Sequence, residues 1–266
     1  MLHASGKVFK IWFTMSVNRE VPLPIPSSLS IGGKPLYSLL VVRATDDAGQ
    51  LAPSADALVI ITGESIADWQ AAALFMTHRR PADDETLLLA LVDSSLDSDA
   101  LDERLEILIP ARPDGIILSG VADGTELQRL DVALAVAETM AGREPGETPL
   151  IAMIGDNASG LLSFASFAGR TPRLRAVGRA ATALAAELQV PGSPDQQCDE
   201  SAPVALSRGL TLLGAAKARV AALDWLDLSL AGEDLERACA AARRDGFTAL
   251  ITEMPDHLPA IAAAYG

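Results

Sequence analysis

The sequence is poor in the residues that build cross-linked or aromatic-rich proteins. It has two cysteines, Cys198 and Cys239, and only 4% of its 266 residues are aromatic. Two cysteines cannot form a disulfide framework, and their spacing is not that of a metal site. We therefore expect a protein of a reducing, cytoplasmic compartment, whose core is filled by aliphatic side chains and alanine.

Positive charge is scarce as well. The chain has 21 Lys and Arg against 35 Asp and Glu, which gives a formal net charge of −14 without a long block of one sign. Phosphate backbones are bound by concentrated Lys and Arg, so we expect no nucleic-acid partner. No apolar run is long enough to span a bilayer, so we expect no membrane association. An anionic small substrate would need a local cluster of arginine or lysine.

The first 36 residues differ in pattern from the rest. Residues 7–15 are basic and apolar, but Lys10 interrupts the apolar run and no small-residue cleavage site follows. This favours a docking arm over a signal peptide. Residues 20–36 contain four prolines together with Gly32 and Gly33, which predicts an irregular lead-in.

Short apolar runs recur eight times from residue 37 onward, as expected for strands buried on both faces of a parallel sheet. The runs are 38–43, 57–62, 87–93, 115–120, 150–155, 174–179, 220–224 and 249–254. Segments with helical periodicity lie between several of them, at 65–79, 99–109, 125–141 and 233–244. Gly246 stands where the last of these helices would need a C-terminal cap.

Eight alternating units in one domain-sized chain predict a closed TIM (β/α)8 barrel over residues 37–266. An open doubly wound sheet is the alternative, but no G-x-G-x-x-G motif follows the first run. Residues 44–56 leave room for only a short helix. The connection from 180 to 219 is long, and we expect its loop at 191–195 on the functional rim.

Catalytic groups of such barrels stand at the carboxyl ends of the strands. Arginine there can bind a carboxylate or phosphate through two parallel hydrogen bonds, and the catalytic candidates at these ends are Arg43, Arg179 and Asp224. Carboxylates around one rim could hold a hard cation such as Mg²⁺, and the metal candidates are Asp156, Glu64 and Asp93. Glu64 and Asp256 also stand where helices begin, so helix capping is the competing interpretation. We expect His257 on the rim, in the last helix.

Five segments carry a resemblance to a known family: 55–60, 112–118, 150–154, 223–224 and 245–247. In chain order they resemble strands of the HpcH/HpaI aldolase and citrate lyase beta family, and the resemblance extends over residues 37–264. It implies a TIM barrel, a homo-oligomer and a divalent metal, usually Mg²⁺. It also implies cleavage or formation of a C–C bond in an oxo-acid or acyl-CoA substrate.

The chain departs from the family where the family keeps its chemistry. The resemblance places Val92 where a substrate-gripping arginine stands, Gly155 where a metal-binding glutamate stands, and Thr182-Ala183 where a second acidic pair stands. Of an acidic motif after the second strand, only Glu64 remains. The family's metal stabilises an enolate while the arginine holds the substrate's carboxylate. Loss of both predicts a diverged member that is impaired or inactive as a lyase, a pseudoenzyme.

Two alternatives stay open. One is an active but altered lyase that binds its metal through Asp156 with Glu64 or Asp93. The other is a non-catalytic binder of CoA esters or small acids.

Overall fold

A closed parallel barrel forms the centre of the computed structural model, which describes residues 26, 28–45, 55–80, 86–190 and 201–266. Its eight strands follow one another around the barrel in chain order. This confirms the predicted TIM barrel and excludes the open sheet. The arm up to residue 25, most of the short connection at 44–56, the loop at 191–195 and Cys198 lie outside the described residues.

The barrel strands coincide with the eight apolar runs to within two residues at each end. They are β3 (Ser38–Arg43), β4 (Ala57–Ile61), β5 (Leu87–Asp93), β6 (Gly115–Ser119), β7 (Leu150–Gly155), β8 (Leu174–Ala180), β9 (Ala221–Trp225) and β10 (Ala249–Thr252).

Helices surround the barrel and include the four that the periodicity predicts. They are α1 (Ile66–Arg79), α2 (Ser98–Leu108), α3 (Gly124–Met140), α4 (Ala158–Leu162), α5 (Ala181–Glu187), α6 (Ala202–Ala218), α7 (Gly232–Asp245) and α8 (Leu258–Tyr265). Gly246 ends α7 in the left-handed conformation at φ 113°, as expected of a C-terminal cap. None of the described helices is long and apolar enough to cross a bilayer.

The segment before the barrel is more regular than its prolines indicate. Residues of β1 (Leu29–Ile31) and β2 (Lys34–Leu36) pair as an antiparallel hairpin. Its two-residue turn is Gly32-Gly33, both at positive φ, which is the backbone that such tight turns need. Leu29, Ile31 and Leu36 are buried with the interior of the barrel. Because β2 leads directly into β3, the hairpin closes the barrel at its amino-terminal end.

Alternate residues of each strand fill the inside of the barrel. Leu39, Val59, Leu89, Ile151 and Leu223 belong to one buried interior cluster. The residues between them pack outward against the helices in a separate, larger cluster. The barrel is therefore a packed core, and a ligand can reach it only from its two ends.

Two predicted caps are wrong. Ser65 is the N-cap of α1 and forms a capping box with Asp68, so Glu64 lies one residue outside the helix. Asp256 lies inside a single 3₁₀ turn, Pro255–His257, and caps nothing, because α8 begins at Leu258 without a side-chain cap.

Candidate ligand-binding mouth of the barrel

The carboxyl end of the barrel is an apolar floor with charged side chains at its rim. Ile61, Leu91, Ala180 and Trp225 are partly buried and pack on the interior cluster, so they form the floor. Arg43 ends β3 and continues the alternation of inward-facing Leu39 and Val41, and it is exposed. Asp93 ends β5 in the same way. The mouth thus presents a guanidinium and a carboxylate above hydrocarbon.

Asp93 and Asp156 approach the same glycine from neighbouring sectors of the mouth. Asp156 Oδ2 accepts a hydrogen bond from the backbone of Gly120 at 2.7 Å, and Asn157 Nδ2 donates to Asp156 Oδ1 at 2.9 Å. A Cβ on Gly120 would lie 3.7 Å from Asp93 Oδ1. Burial raises the pKa of Asp156 to about 6, and the charge of Asp93 adds to the rise. These two acids form the acidic part of the mouth.

Glu64 does not join this pair. Its carbonyl accepts a hydrogen bond from Arg104 at 2.5 Å, and its side chain is exposed beside the start of α1. Within the described ranges, no group of three or more His, Cys, Asp or Glu side chains is placed to hold a metal ion. Of the three metal candidates, the structure brings together Asp93 and Asp156 alone.

Gly155, the position that the resemblance equates with a metal ligand, faces away from the mouth. The pairing of β7 with β8 is irregular here, since Met153 pairs with Gly178 and Gly155 with Arg179. Such an irregularity turns the following side-chain position to the other face of the sheet. A Cβ on Gly155 would lie 2.7 Å from Thr211 Oγ1 of α6. A side chain at position 155 would therefore clash unless α6 or β8 moved.

Thr182, at the second equated position, makes a hydrogen bond to an acid that the sequence analysis passed over. Its hydroxyl donates to Asp227 Oδ2 at 3.1 Å. Hydrogen bonds from Ser229, the largest cause, lower the pKa of Asp227. Asp227 lies two residues beyond β9, and the only signal for it was the Asp-x-Ser spacing of a local turn.

Arg179 and Asp224 lie outside the barrel wall, between the strands and α6. Arg179 Nε donates to Asp224 Oδ1 at 2.9 Å, and its Nη1 donates to the Val204 carbonyl at 3.1 Å. Arg208 donates to the other Asp224 oxygen at 3.1 Å. Arg179 and Asp224 are 3% and 4% exposed, too little for contact with a substrate in the mouth. The geometry supports a structural ion pair, and a catalytic role for either residue stays a prediction.

His257 is buried rather than placed on the rim. Its Nε2 lies 3.0 Å from the Leu230 carbonyl, and its Nδ1 lies 2.8 Å from Thr252 Oγ1. Because a carbonyl only accepts, Nε2 donates to Leu230. Both ring nitrogens are satisfied, so the expectation of a rim histidine is wrong.

By sequence, the chain matches no protein family and no curated protein. By structure, it is similar to RipC from Yersinia pestis, with a TM-score of 0.66, 21% identity, and coverage of 87% of this chain and 95% of that one. It is also similar to the citrate lyase beta subunit from Mycobacterium tuberculosis complexed with oxaloacetate and magnesium, with a TM-score of 0.64, 19% identity, and coverage of 86% and 96%. The chain has the fold of the citrate lyase beta subunit.

A third solved structure, CitE from Mycobacterium tuberculosis in complex with magnesium, acetoacetate and coenzyme A, has a TM-score of 0.67 and 18% identity, with 86% of this chain and 80% of that chain covered. The three structures share with this chain the barrel fold that the strand resemblance in the sequence implied.

Proposed function

We propose that this chain is a diverged barrel of the citrate lyase beta type that binds a small carboxylic acid at its mouth and does not cleave C–C bonds with a metal. The observation that carries the proposal is the closed position at Gly155, where a Cβ would meet Thr211 Oγ1 at 2.7 Å. The acid that the resemblance expects there has no place in this fold.

The remaining oxygens fit a magnesium ion poorly. Mg²⁺ demands near-octahedral oxygen ligands at about 2.0–2.1 Å. Both oxygens of Asp156 already accept hydrogen bonds, from Gly120 and Asn157. Asp93 Oδ1 accepts from the backbone of Ser95 at 2.7 Å. Within the described ranges these two acids are not part of a group of three or more side chains that could hold a metal ion.

The mouth suits a small acid better. Arg43 carries a planar guanidinium that can bind a carboxylate through two hydrogen bonds. The floor of Ile61, Leu91 and Trp225 can cover the carbon chain of such an acid. The magnesium, acetoacetate and coenzyme A complex of CitE from Mycobacterium tuberculosis gives the class of acid to test first.

Calorimetric titration with acetoacetate, with and without Mg²⁺, tests the proposal. We expect saturable binding that does not depend on Mg²⁺ and that weakens about tenfold in Arg43→Gln, because a charge-assisted hydrogen-bond pair is lost. Arg244→Gln is the matched control, since the Arg244 side chain is 75% exposed on α7, away from the mouth. Equal binding by both variants would remove Arg43 from the site, and no binding by the wild type would end the proposal.

An altered, active lyase is the second candidate, and one observation favours it. Burial is the main cause of the raised pKa of Asp156, and the charge of Asp93 adds to it. A cation shared between the two acids would relieve that repulsion. Titration with Mg²⁺ and Mn²⁺, together with citryl-CoA and malyl-CoA cleavage assays, decides between the two. Tight metal binding abolished by Asp156→Ala, with metal-dependent turnover, would establish the lyase.

Binding of a CoA ester and assembly into a homo-oligomer are further proposals. Titration with acetyl-CoA tests the first. Light scattering at micromolar concentration tests the second, and a monomer alone would contradict it.

A further inference from the structure

A second cleft lies at the opposite, amino-terminal end of the barrel. It has a volume of about 450 Å³ and opens between the β1–β2 turn and the residues that lead into β5, β6, β7 and β8. Four arginines and two acids line it: Arg80, Arg112, Arg143, Arg175, Asp114 and Glu147. We propose that this cleft binds a small molecule that carries two or more phosphate or carboxylate groups.

The acids of the cleft are already occupied by hydrogen bonds. Asp114 Oδ2 accepts from Arg80 at 3.2 Å and from the backbone of Leu88 at 2.8 Å. Glu147 accepts from Arg143 Nε at 2.9 Å. With four arginines against two acids, the described lining has a surplus of two positive charges in a chain whose formal net charge is −14. The cleft is therefore a local exception to an acidic protein.

Two nitrogens of the arginines that line the cleft have no hydrogen-bond partner among the described residues. The Arg143 side chain is only 9% exposed, yet its Nη1 is buried and has no hydrogen-bond partner in the described part of the chain. Arg80 Nε is likewise buried and has no hydrogen-bond partner among the described residues. A buried donor without a partner costs about 1–3 kcal/mol. Because these two nitrogens are closed to solvent, the guanidinium groups that a ligand can reach first are those of the exposed Arg112 and Arg175.

Two departures from regular backbone bring the other arginines to this cleft. Arg112 has the left-handed conformation at φ 57°, which is uncommon for a residue other than glycine. Arg80 donates a hydrogen bond to the Arg112 carbonyl at 2.5 Å, and this contact helps to hold Arg112 in that conformation. Arg175 is the extra residue where the pairing of β7 with β8 slips between Leu150 and Ile151. Bulges of this kind redirect a side chain, and strained backbone persists where surrounding contacts over-determine it.

The chemistry of the lining defines the ligand class. Guanidinium groups bind phosphate and carboxylate oxygens in pairs. Arginines from four separate segments of the barrel end line the cleft, and a ligand with two or more oxyanions can pair with more of them than a single oxyanion can. A cleft of this volume falls in the range of small-molecule sites. Phosphate and carboxylate ligands share this chemistry, and the experiment separates them.

Calorimetric titration of the full chain, without divalent metal, with pyrophosphate, tripolyphosphate and citrate tests the proposal. We expect saturable binding of at least one of them with a stoichiometry of one, weaker at high salt because the attraction is electrostatic. Pyrophosphate or tripolyphosphate binding alone would identify a phosphate ligand. Citrate binding alone, weakened by the changes in this cleft but not by Arg43→Gln, would identify a polycarboxylate. The double variant Arg112→Asn/Arg175→Gln should weaken binding about tenfold or more, and asparagine tolerates the left-handed backbone at position 112.

Arg219→Asn is the matched control. Arg219 is also exposed and left-handed, at φ 59°, but it does not line the cleft, so its variant should bind as the wild type does. Arg43→Gln should leave pyrophosphate binding unchanged, which separates this site from the mouth. Non-saturable binding, or equal binding by the double variant and the wild type, would overturn the proposal.

Discussion

Gly155 of β7 lies directly against Thr211 of α6. A Cβ on Gly155 would be 2.7 Å from Thr211 Oγ1 and 3.0 Å from the Cα of Arg179. Thr211 is fully buried, and its hydroxyl has no hydrogen-bond partner among the described residues. The helix therefore packs where a ligand side chain of an aldolase-like barrel would have to begin. The absence of a side chain at position 155 is therefore what allows α6 to approach β7 this closely.

Gly155→Ala should destabilise the protein by about 1–3 kcal/mol through overpacking. Urea denaturation measures the change. Gly209→Ala, in the exposed part of α6, is the matched control: nothing lies within 4 Å of its Cβ, so it should stabilise the helix by about 0.5–1 kcal/mol. Thr211→Ala combined with Gly155→Ala should recover part of the loss, because the contact with Oγ1 disappears. An additive double variant would show that the two positions do not interact.

The buried pair of Arg179 and Asp224 gives a prediction about stability. Asp224→Asn should cost about 3–5 kcal/mol, because removal of one partner leaves a buried charge uncompensated. Denaturation midpoints for Asp224→Asn and for the exposed control Asp234→Asn measure this. Acetoacetate binding by the folded fraction should not change. Normal stability combined with lost binding would instead support the catalytic role predicted from the sequence.

The sequence predicts the barrel well because parallel strands buried on both faces must be continuous apolar runs. Because such a run is apolar throughout, it does not indicate which residues point into the barrel and which point outward to the helices. Asp224 ends an apolar run, and no polar alternation reveals that it points outward to α6 while Leu223 points inward. At Gly155 a pairing irregularity reverses the face again, and a single sequence carries no signal for it.

The hairpin before the barrel could have been predicted. Gly32-Gly33 between short apolar segments is a turn signal of the kind that β-hairpins use, but the surrounding prolines outweighed it. The cleft that four arginines line could not have been predicted from the sequence. Its members come from segments separated by as many as 95 positions, Arg80 to Arg175, and only closure of the barrel brings them to one end.

Glu138 and Arg173 should support the fold in acid. Arg173 donates to both oxygens of Glu138, at 2.8 and 2.7 Å, and Glu138 is fully buried. Burial alone would raise the pKa of Glu138, but hydrogen bonds from Arg173, Thr148 and Gly146 outweigh it and lower the pKa to about 2. A lowered pKa contributes stability above pH 4.5 that is lost as the pH falls toward 2.

Glu138→Gln should therefore cost about 3 kcal/mol at neutral pH, with a cost that shrinks in acid. Urea denaturation at a series of pH values measures this. Glu144→Gln, at an exposed position of the same connection, is the control and should change little at any pH. A cost that stays constant down to pH 2 would contradict the lowered pKa.

Asp156 should act in the opposite direction and in a different pH window. Burial raises its pKa from 3.8 to about 6, so the folded state holds a proton that the unfolded state has already released between these values. Stability then falls as the pH rises from about 4 to 6, because the folded state binds more protons in that range. The difference in unfolding free energy between the wild type and Asp156→Asn should change by about 1–3 kcal/mol across this window and remain constant above it.

Carbon-detected NMR of the Asp156 carboxyl group measures the pKa directly. A pKa at or below 4 would mean that the hydrogen bonds from Gly120 and Asn157 outweigh burial, and Asp156 would then be a permanent carboxylate at the mouth. If Mg²⁺ lowers the measured pKa more than a monovalent salt of equal ionic strength does, the ion binds the carboxylate, and the altered-lyase candidate gains over the metal-free acid binder.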